Sequence, residues 1–528
     1  ALPIWSEGSI YYNDGSGLQS LKMLDHLGYD VVSLGNHDFL NGPDTLLEIL
    51  EKASPRFTLV SANLNMNEYE KREGLQKWIS PYTIRQVGDV KIAFIGLTTY
   101  ELIYDKYFFP VKIREPFLST ADLSARLKAE QGVDVVVVVS HNSTLANQAI
   151  LKAAPQVDLV IGGHDHKVLI EPKRVSRLGG SPGWIVEAGE WGKFLGQVTL
   201  RVDSRGVELL PERTRLIQVD ARIPEDMETR QKIEEVEARL EAHWGRIFHE
   251  PIGESRLELN REGMENTMGN FAADAYLKAT QADVAIESSR FMSGDLHEGP
   301  VYLADVYNTM TQIYNPQTDR SWNLHTLPVS GRTLKWLLYA FFVSKKVSAF
   351  GLMNVAGLSF TYDPFFLQTS VQLTAGLDSP QEIGLGMPSS FPNVKDIQIQ
   401  GRPLDPNTRY RVALGYGIIE AFRFIQERLW SVISLDDLQD TGMEAWRVLA
   451  DSVRVQSPLR PETVSQKRRM SPQVASLGLR YADLNWTPLH KTPRGQMAQV
   501  RVRVTNQGVN TYDPRGETAT VQLRSEER

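Results

Sequence analysis

Gly162-Gly-His-Asp-His166 follows Val157-Asp-Leu-Val-Ile161, a short apolar run led by β-branched residues. Such a run predicts a buried strand, and the paired glycines mark a sharp exit from it. His164 and His166 therefore belong to a loop at a strand's C-terminal end, where backbone without side chains lets a ligand approach closely. Taken alone, the stretch is equally compatible with two exposed loop histidines.

Two further strand exits of the same polar kind lie upstream. Tyr29-Asp-Val-Val-Ser-Leu34 runs into Gly35-Asn36-His37-Asp38, and Val133-Asp-Val-Val-Val-Val-Val139 runs into Ser140-His141-Asn142. In an α/β sheet the loops after parallel strands gather at one edge, which is where ligands bind. Four of the ten histidines in the chain fall at these three places, together with Asn36. Asn63, at the end of Phe57-Thr-Leu-Val60, and Asn142 are read as turn formers that hold the loops.

These motifs, in this order, resemble the calcineurin-like metallophosphoesterases, and among them the bacterial 5′-nucleotidase and UDP-sugar hydrolase branch. The resemblance rests on Gly35-Asn36-His37-Asp38, Ser61-Ala62-Asn63-Leu64, Ser140-His141, Gly162–His166 and Glu187-Ala-Gly-Glu-Trp-Gly-Lys-Phe-Leu-Gly196. It continues at Met268-Gly-Asn-Phe-Ala-Ala-Asp-Ala275, similar to the opening helix of the family's C-terminal domain. The resemblance implies a multi-domain α/β protein. A layered α/β/β/α metallophosphoesterase domain over residues 1–218 would lack its first strands, a linker helix would occupy 219–248, and a 5′-nucleotidase C-terminal α/β domain would span 249–465.

By that resemblance Asn36, His141 and His164 are expected to hold one metal ion, with His166 left for a second. His37 would protonate the leaving group or stabilise the phosphoryl oxygens. Relatives usually carry an acidic partner three residues after this histidine, where Leu40 stands here. They also carry Asp-x-His and Gly-Asp motifs upstream, and neither occurs here, so two metals are not expected to bind this chain tightly. Truncation just before Ala1 and a lineage that has lost half of its metal centre are the two explanations, and truncation is preferred.

The chemistry accounts for the ligand types. The chain has no cysteine, so a metal must be held by nitrogen and oxygen donors, a set that suits Mn, Zn, Fe, Mg or Co. Two such divalent ions roughly 3.5–4 Å apart polarise a phosphoester and activate a bridging water for in-line attack.

In the second domain Ala282-Asp-Val-Ala-Ile286 predicts a strand ending in Glu287-Ser-Ser-Arg290. Relatives usually show Asn-Gly-Gly-Gly-x-Arg at this exit, so Arg290 is the candidate for an anionic group of the substrate. Tyr416 and Phe422, within Val412–Phe422, and Tyr314 are candidates for the family's aromatic base clamp, although rings in such segments also serve cores. The helix-forming, oppositely charged run from Pro224 to His243 reads as a solvent-exposed linker. Alternation in Gln499–Thr505 and Ala519–Leu523 predicts antiparallel strands of a small β-sandwich-like module over 470–528.

Composition bounds the rest. At 528 residues and net charge −7, the chain is sized for several domains and does not suit a general binder of nucleic-acid polymers. No apolar run reaches the ~20 residues of a membrane span, and no signal peptide is visible. The family implies a periplasmic, extracellular or cell-surface location and a small phosphoester substrate, foremost a nucleotide. The alternatives are a catalytically inactive ligand- or surface-binding protein on the same fold, and a hydrolase of a non-nucleotide ester.

Overall fold

β-Branched runs become strands and charged amphipathic runs become helices in the computed structural model. It describes residues 9–101, 104–177, 181–263, 265–310, 321–347, 353–362, 394–429, 434–464, 469–472, 484–487 and 499–502. Tyr314 and the Ala519–Leu523 segment lie outside the described residues.

In the first unit a six-stranded sheet runs in the order Lys173–Val175, Gly183–Val186, Leu159–Gly162, Val135–Ser140, Val90–Leu97, Tyr82–Val87. Its four inner strands are parallel and its two edge strands antiparallel. The all-valine core of Val135–Ser140 is buried along its whole length, as expected of a strand covered on both faces. One face packs on the helices Pro116–Gln131 and Thr144–Ala153 around Ile95, Val136, Val138 and Ile150. The other meets the Phe194–Gln218 strands through Val135, Val137, Leu159 and Leu209.

A second, three-stranded parallel sheet of Val31–Ser33, Thr58–Val60 and Ile79–Ser80 abuts the first. Ala62 N–H donates to Gly96 C=O at 2.8 Å across the seam. A Cβ on Gly96 would stand 2.1 Å from the Val60 carbonyl oxygen, so only glycine permits this approach. The helices Leu18–His26 and Gly42–Ala53 cover the smaller sheet.

The second unit has a five-stranded sheet ordered Met353–Ala356, Val284–Ser288, Arg409–Leu414, Asn323–Ser330, Gln439–Glu444. Only Val284–Ser288 and Arg409–Leu414 are parallel, with Ile286 opposite Leu414. Glu287–Arg290 and Gly415–Tyr416 therefore leave the sheet at the same edge. Gly415 and Gly417 make that possible: a Cβ at either would lie 2.3 Å from Glu287 Oε2 or 2.4 Å from the Phe291 ring.

The helix Met227–Trp244 is solvated on only part of its surface, which corrects the expectation of a purely exposed linker. Val236 and Leu240, one turn apart, are buried in the same core as Phe271, Tyr276 and Trp446 of the second unit. The short 3₁₀ turn Ile10–Asn13 joins them there. Ile10 is fully buried in that core. Its N–H donates to Asn308 Oδ1 at 2.8 Å, and Tyr11 donates to Glu237 and stacks on Phe248. Of the expected β module, Leu484–Thr487 and Gln499–Val502 form an antiparallel pair. Among the described residues no helix is long and apolar enough to cross a membrane.

Candidate functional site

Register alone brings the site together. Leu97 pairs with Ser140 and Ser140 with Gly162 across the parallel strands, so three strands end in one row. Thr98–Glu101, His141 and Gly163–His166 emerge side by side. The neighbouring sheet delivers Asn36 beside them. The Thr99 hydroxyl shares its one hydrogen between the His141 carbonyl at 2.5 Å and Asn36 Oδ1 at 3.2 Å.

His141 is 1% exposed, and neither of its ring nitrogens has a hydrogen-bond partner. Asn36 is equally buried, and its Nδ2 is unpartnered. The His141 and His164 rings meet edge to face, with centroids 5.1 Å apart. Burial first, and then the proximity of His164, His37 and His166, push the His141 imidazole well below its usual pKa. It is therefore neutral at physiological pH, with a lone pair available.

His164 and His166 take left-handed backbone conformations, with φ of 62° and 55°. That conformation is uncommon for a residue with a Cβ, and it turns both side chains out of the strand direction. Each ring is met by a carboxylate. His164 Nε2 lies 2.9 Å from Glu101 Oε1, and His166 Nδ1 lies 2.7 Å from Glu190 Oε2. Burial alone would raise the Glu190 carboxyl, but the His166 hydrogen bond and the charges of His166, Arg261 and Lys193 hold it below the usual glutamate range.

Behind the loop lies another acid, Glu187. It is buried, it accepts from the Thr144 hydroxyl at 3.0 Å, and burial pushes it up to about 7. Asp165 caps the Thr144–Ala153 helix by accepting from Thr144 N–H at 2.8 Å. His37 is half-buried on the Asn36 loop, its ring 6.4 Å from Tyr104. Asp38 accepts from Gly35 N–H at 2.6 Å. Asn63 bonds the backbone of Thr98 and Arg114, and Asn142 that of Thr98 and Tyr100, so both are braces.

Among the described residues no three His, Asp or Glu side chains approach closely enough to hold an ion. The Asn36 amide oxygen, tied to the His141 backbone through Thr99, would have to be the third donor of a site with His141 and His164. Two unpaired nitrogens on a buried ring are what a ligand imidazole presents without its ion, because an unsatisfied buried polar atom costs ~1–3 kcal/mol. The residues therefore fit one divalent ion. His166 alone does not make a second site.

In the second unit Tyr416 is half-buried among Trp322, with ring centroids 5.3 Å apart, and His325, at 5.5 Å. The Arg423 guanidinium lies over its ring and donates to its hydroxyl. Phe422 is 6% exposed and packs in the apolar core with Ile418 and Leu334. In this structure its ring contributes to packing. Arg290 sits in the 3₁₀ turn Ser289–Phe291 at the strand exit. Thr99, Glu101 and Glu190 were missed in the sequence. The signal for the first two was a fourth apolar strand, Val90–Leu97, running into Thr-Thr-Tyr-Glu101.

Comparison with known proteins matches two stretches of the chain. Residues 11–168 match the calcineurin-like phosphoesterase family, and residues 249–421 match the 5′-nucleotidase C-terminal domain. The chain is 25% identical over 394 residues to the trifunctional nucleotide phosphoesterase protein YfkN of Bacillus subtilis, which covers 67% of this chain and 26% of that protein. It spans about a quarter to three fifths of the length of the curated relatives it matches. Among solved structures, the 5′-nucleotidase precursor of Thermus thermophilus superposes with a TM-score of 0.69 at 22% identity over 88% of both chains. The Thermus thermophilus sulfate thiohydrolase SoxB does so at 0.65 and 19% identity, over 90% of this chain and 78% of that one. Both share the fold.

Proposed function

We propose that this chain, which belongs to the family joining a calcineurin-like phosphoesterase domain to a 5′-nucleotidase C-terminal domain, hydrolyses a small phosphoester, foremost a nucleotide, with one divalent ion held by Asn36, His141 and His164. The observation that carries this reading is the buried His141 ring, unpaired at both nitrogens beside Asn36. A bound divalent ion supplies Lewis-acid polarisation of the ester and a water of lowered pKa.

The chain's own residues do the rest. Thr99 fixes the amide oxygen of Asn36 and the backbone of His141 at once. Glu101 sets the orientation of His164 through its Nε2, as carboxylates do for ligand imidazoles. His37, on the loop beside Asn36, would give a proton to the leaving oxygen or hold charge on the phosphoryl oxygens. Tyr416, with Trp322 beside it, offers an aromatic surface to a base, and the Arg290 turn lies at the same strand edge. Lack of cysteine agrees with export to the periplasm or cell surface, which fractionation tests.

The decisive measurement is phosphate release from nucleoside monophosphates and p-nitrophenyl phosphate across Mn²⁺, Zn²⁺, Mg²⁺ and Co²⁺. Turnover restored by one of these ions after chelation is expected. A flat response across all four overturns the reading. A second reading, a binding protein without turnover, is favoured by the absence, among the described residues, of three His, Asp or Glu side chains close enough to hold an ion. It predicts saturable nucleotide binding by calorimetry with no phosphate released.

A further inference from the structure

The start of the Asn323–Ser330 strand and the first turns of the Tyr416–Leu429 helix bring four unlike side chains together in the second unit. The Tyr416 ring stands 5.3 Å from Trp322 and 5.5 Å from His325, centroid to centroid. The Arg423 guanidinium lies 5.6 Å from the same ring centre. Trp322, Tyr416 and Arg423 are half-buried, whereas His325 is 7% exposed and is the deepest of the group.

The proton on His325 is placed by its neighbour. Nδ1 lies 3.1 Å from the Asn323 carbonyl oxygen, and a carbonyl can only accept, so Nδ1 carries the hydrogen. Burial pushes the imidazole below its usual pKa, the Asn323 hydrogen bond and the Asp440 charge oppose this, and the Arg423 charge adds to it. The ring is therefore neutral at physiological pH, with its lone pair on Nε2, which no described residue meets. Arg423 Nη1 donates to the Tyr416 hydroxyl at 3.0 Å and to Glu420 Oε1 at 2.8 Å. Both Nη1 hydrogens are thereby used, and Nε and Nη2 are left to donate. An acceptor and a donor fork thus accompany the aromatic surface.

We propose that His325 and Arg423 select the base that rests on Tyr416, favouring bases with an amino group beside an unprotonated ring nitrogen, as in adenine and cytosine. This rests on the nucleotide reading given above. The amino group donates to His325 Nε2, and the ring nitrogen accepts from the Arg423 guanidinium. Hypoxanthine and uracil reverse both groups. Their carbonyl oxygen faces the Nε2 lone pair with no hydrogen between them, and their ring N–H faces a guanidinium that can only donate. A site built to hydrogen-bond one edge rejects an analogue that leaves its buried polar atom unpaired.

The test uses the full chain and nucleosides, which lack the phosphate, so that neither metal nor turnover enters. Adenosine is compared with inosine, and cytidine with uridine, by calorimetry. The parent is expected to bind the amino member of each pair about 10–100-fold more tightly. His325→Phe keeps a ring but removes Nε2, and it should bring both ratios to within about twofold. Arg423→Met should lower both ratios with His325 in place, which covers a phenylalanine variant that does not fold.

Equal affinity within each pair in the parent overturns the selection and leaves the nucleotide reading standing. Full discrimination retained in His325→Phe overturns the role of His325. If none of the four nucleosides binds, or if Tyr416→Ala leaves their binding unchanged, the premise that a base rests on Tyr416 fails, and the proposal falls with it.

Discussion

At the scale of single residues, the molecule carries polar groups that its own fold does not satisfy. Burying the His141 ring without partners forfeits hydrogen bonds, so removing it costs little beyond the space it fills. His141→Ala is expected to abolish metal-dependent turnover while changing unfolding stability in chelator by only about 1 kcal/mol, measured by urea titration. A buried acid gives a pH prediction of definite sign. Glu287 is 1% exposed, and burial, opposed by hydrogen bonds from Ser288 N–H and Tyr276, raises it from 4.5 to about 7. The folded state then holds a proton that the unfolded state has lost. This contribution is whole below pH ~4.5, falls as pH rises through about 7, and is flat above, a loss of at most roughly 3 kcal/mol. Glu287→Gln should remove that slope and be the more stable form at pH 8 in denaturant unfolding. The placement of Asn36, His141, His164 and His166 at strand ends was legible in the sequence because each follows a β-branched run. Glu101 and Glu190 were not, since a carboxylate in a loop has no periodicity to announce it and its histidine partner lies 63 or 24 positions away.

Elements obey a different logic, in which register decides what meets. The predicted strands at Tyr29–Leu34, Val133–Val139 and Val157–Ile161 appear as Val31–Ser33, Val135–Ser140 and Leu159–Gly162, shortened where turns take over. Composition showed that they exist, but the alignment of Leu97, Ser140 and Gly162 in one row is a product of tertiary pairing that no single run encodes. The Met227–Trp244 helix misled for a related reason. Two apolar residues on an otherwise charged helix suffice to bury a narrow stripe when a core waits for them. The seam between the sheets gives the prediction at this scale. Gly96→Ala places a methyl group against the Val60 carbonyl, which belongs to a paired strand and has no freedom to move. A loss of about 3 kcal/mol or more is expected in urea unfolding, together with weakened metal binding as Thr98–Glu101 shifts.

Across the whole molecule the two units meet at several polar contacts, among them Ile10 with Asn308 and Glu190 with Arg261. Lys106 of the Asp105–Phe108 helix pairs with Glu420, whose side chain is 8% exposed and is also held by Arg423 at 2.8 Å. Breaking such a pair leaves a buried carboxylate short of one partner. Lys106→Ala is expected to loosen the units, seen as a larger radius of gyration in solution scattering, while Mn²⁺ affinity stays within twofold. An unchanged radius would show that the contact is dispensable. None of these cross-unit pairs is foreshadowed by sequence, since their members lie 71 to 314 positions apart.

The seating of Ile10 in a core built from residues more than two hundred positions later bears on how the protein can be divided. A recombinant fragment beginning at residue 219 would be born with a hole in its hydrophobic interior and a bare Asn308 amide. It should be soluble only at low yield, and a synthetic peptide of residues 9–17 supplied in trans should plug the gap and raise its melting temperature, as a cork does for a bottle made without a base.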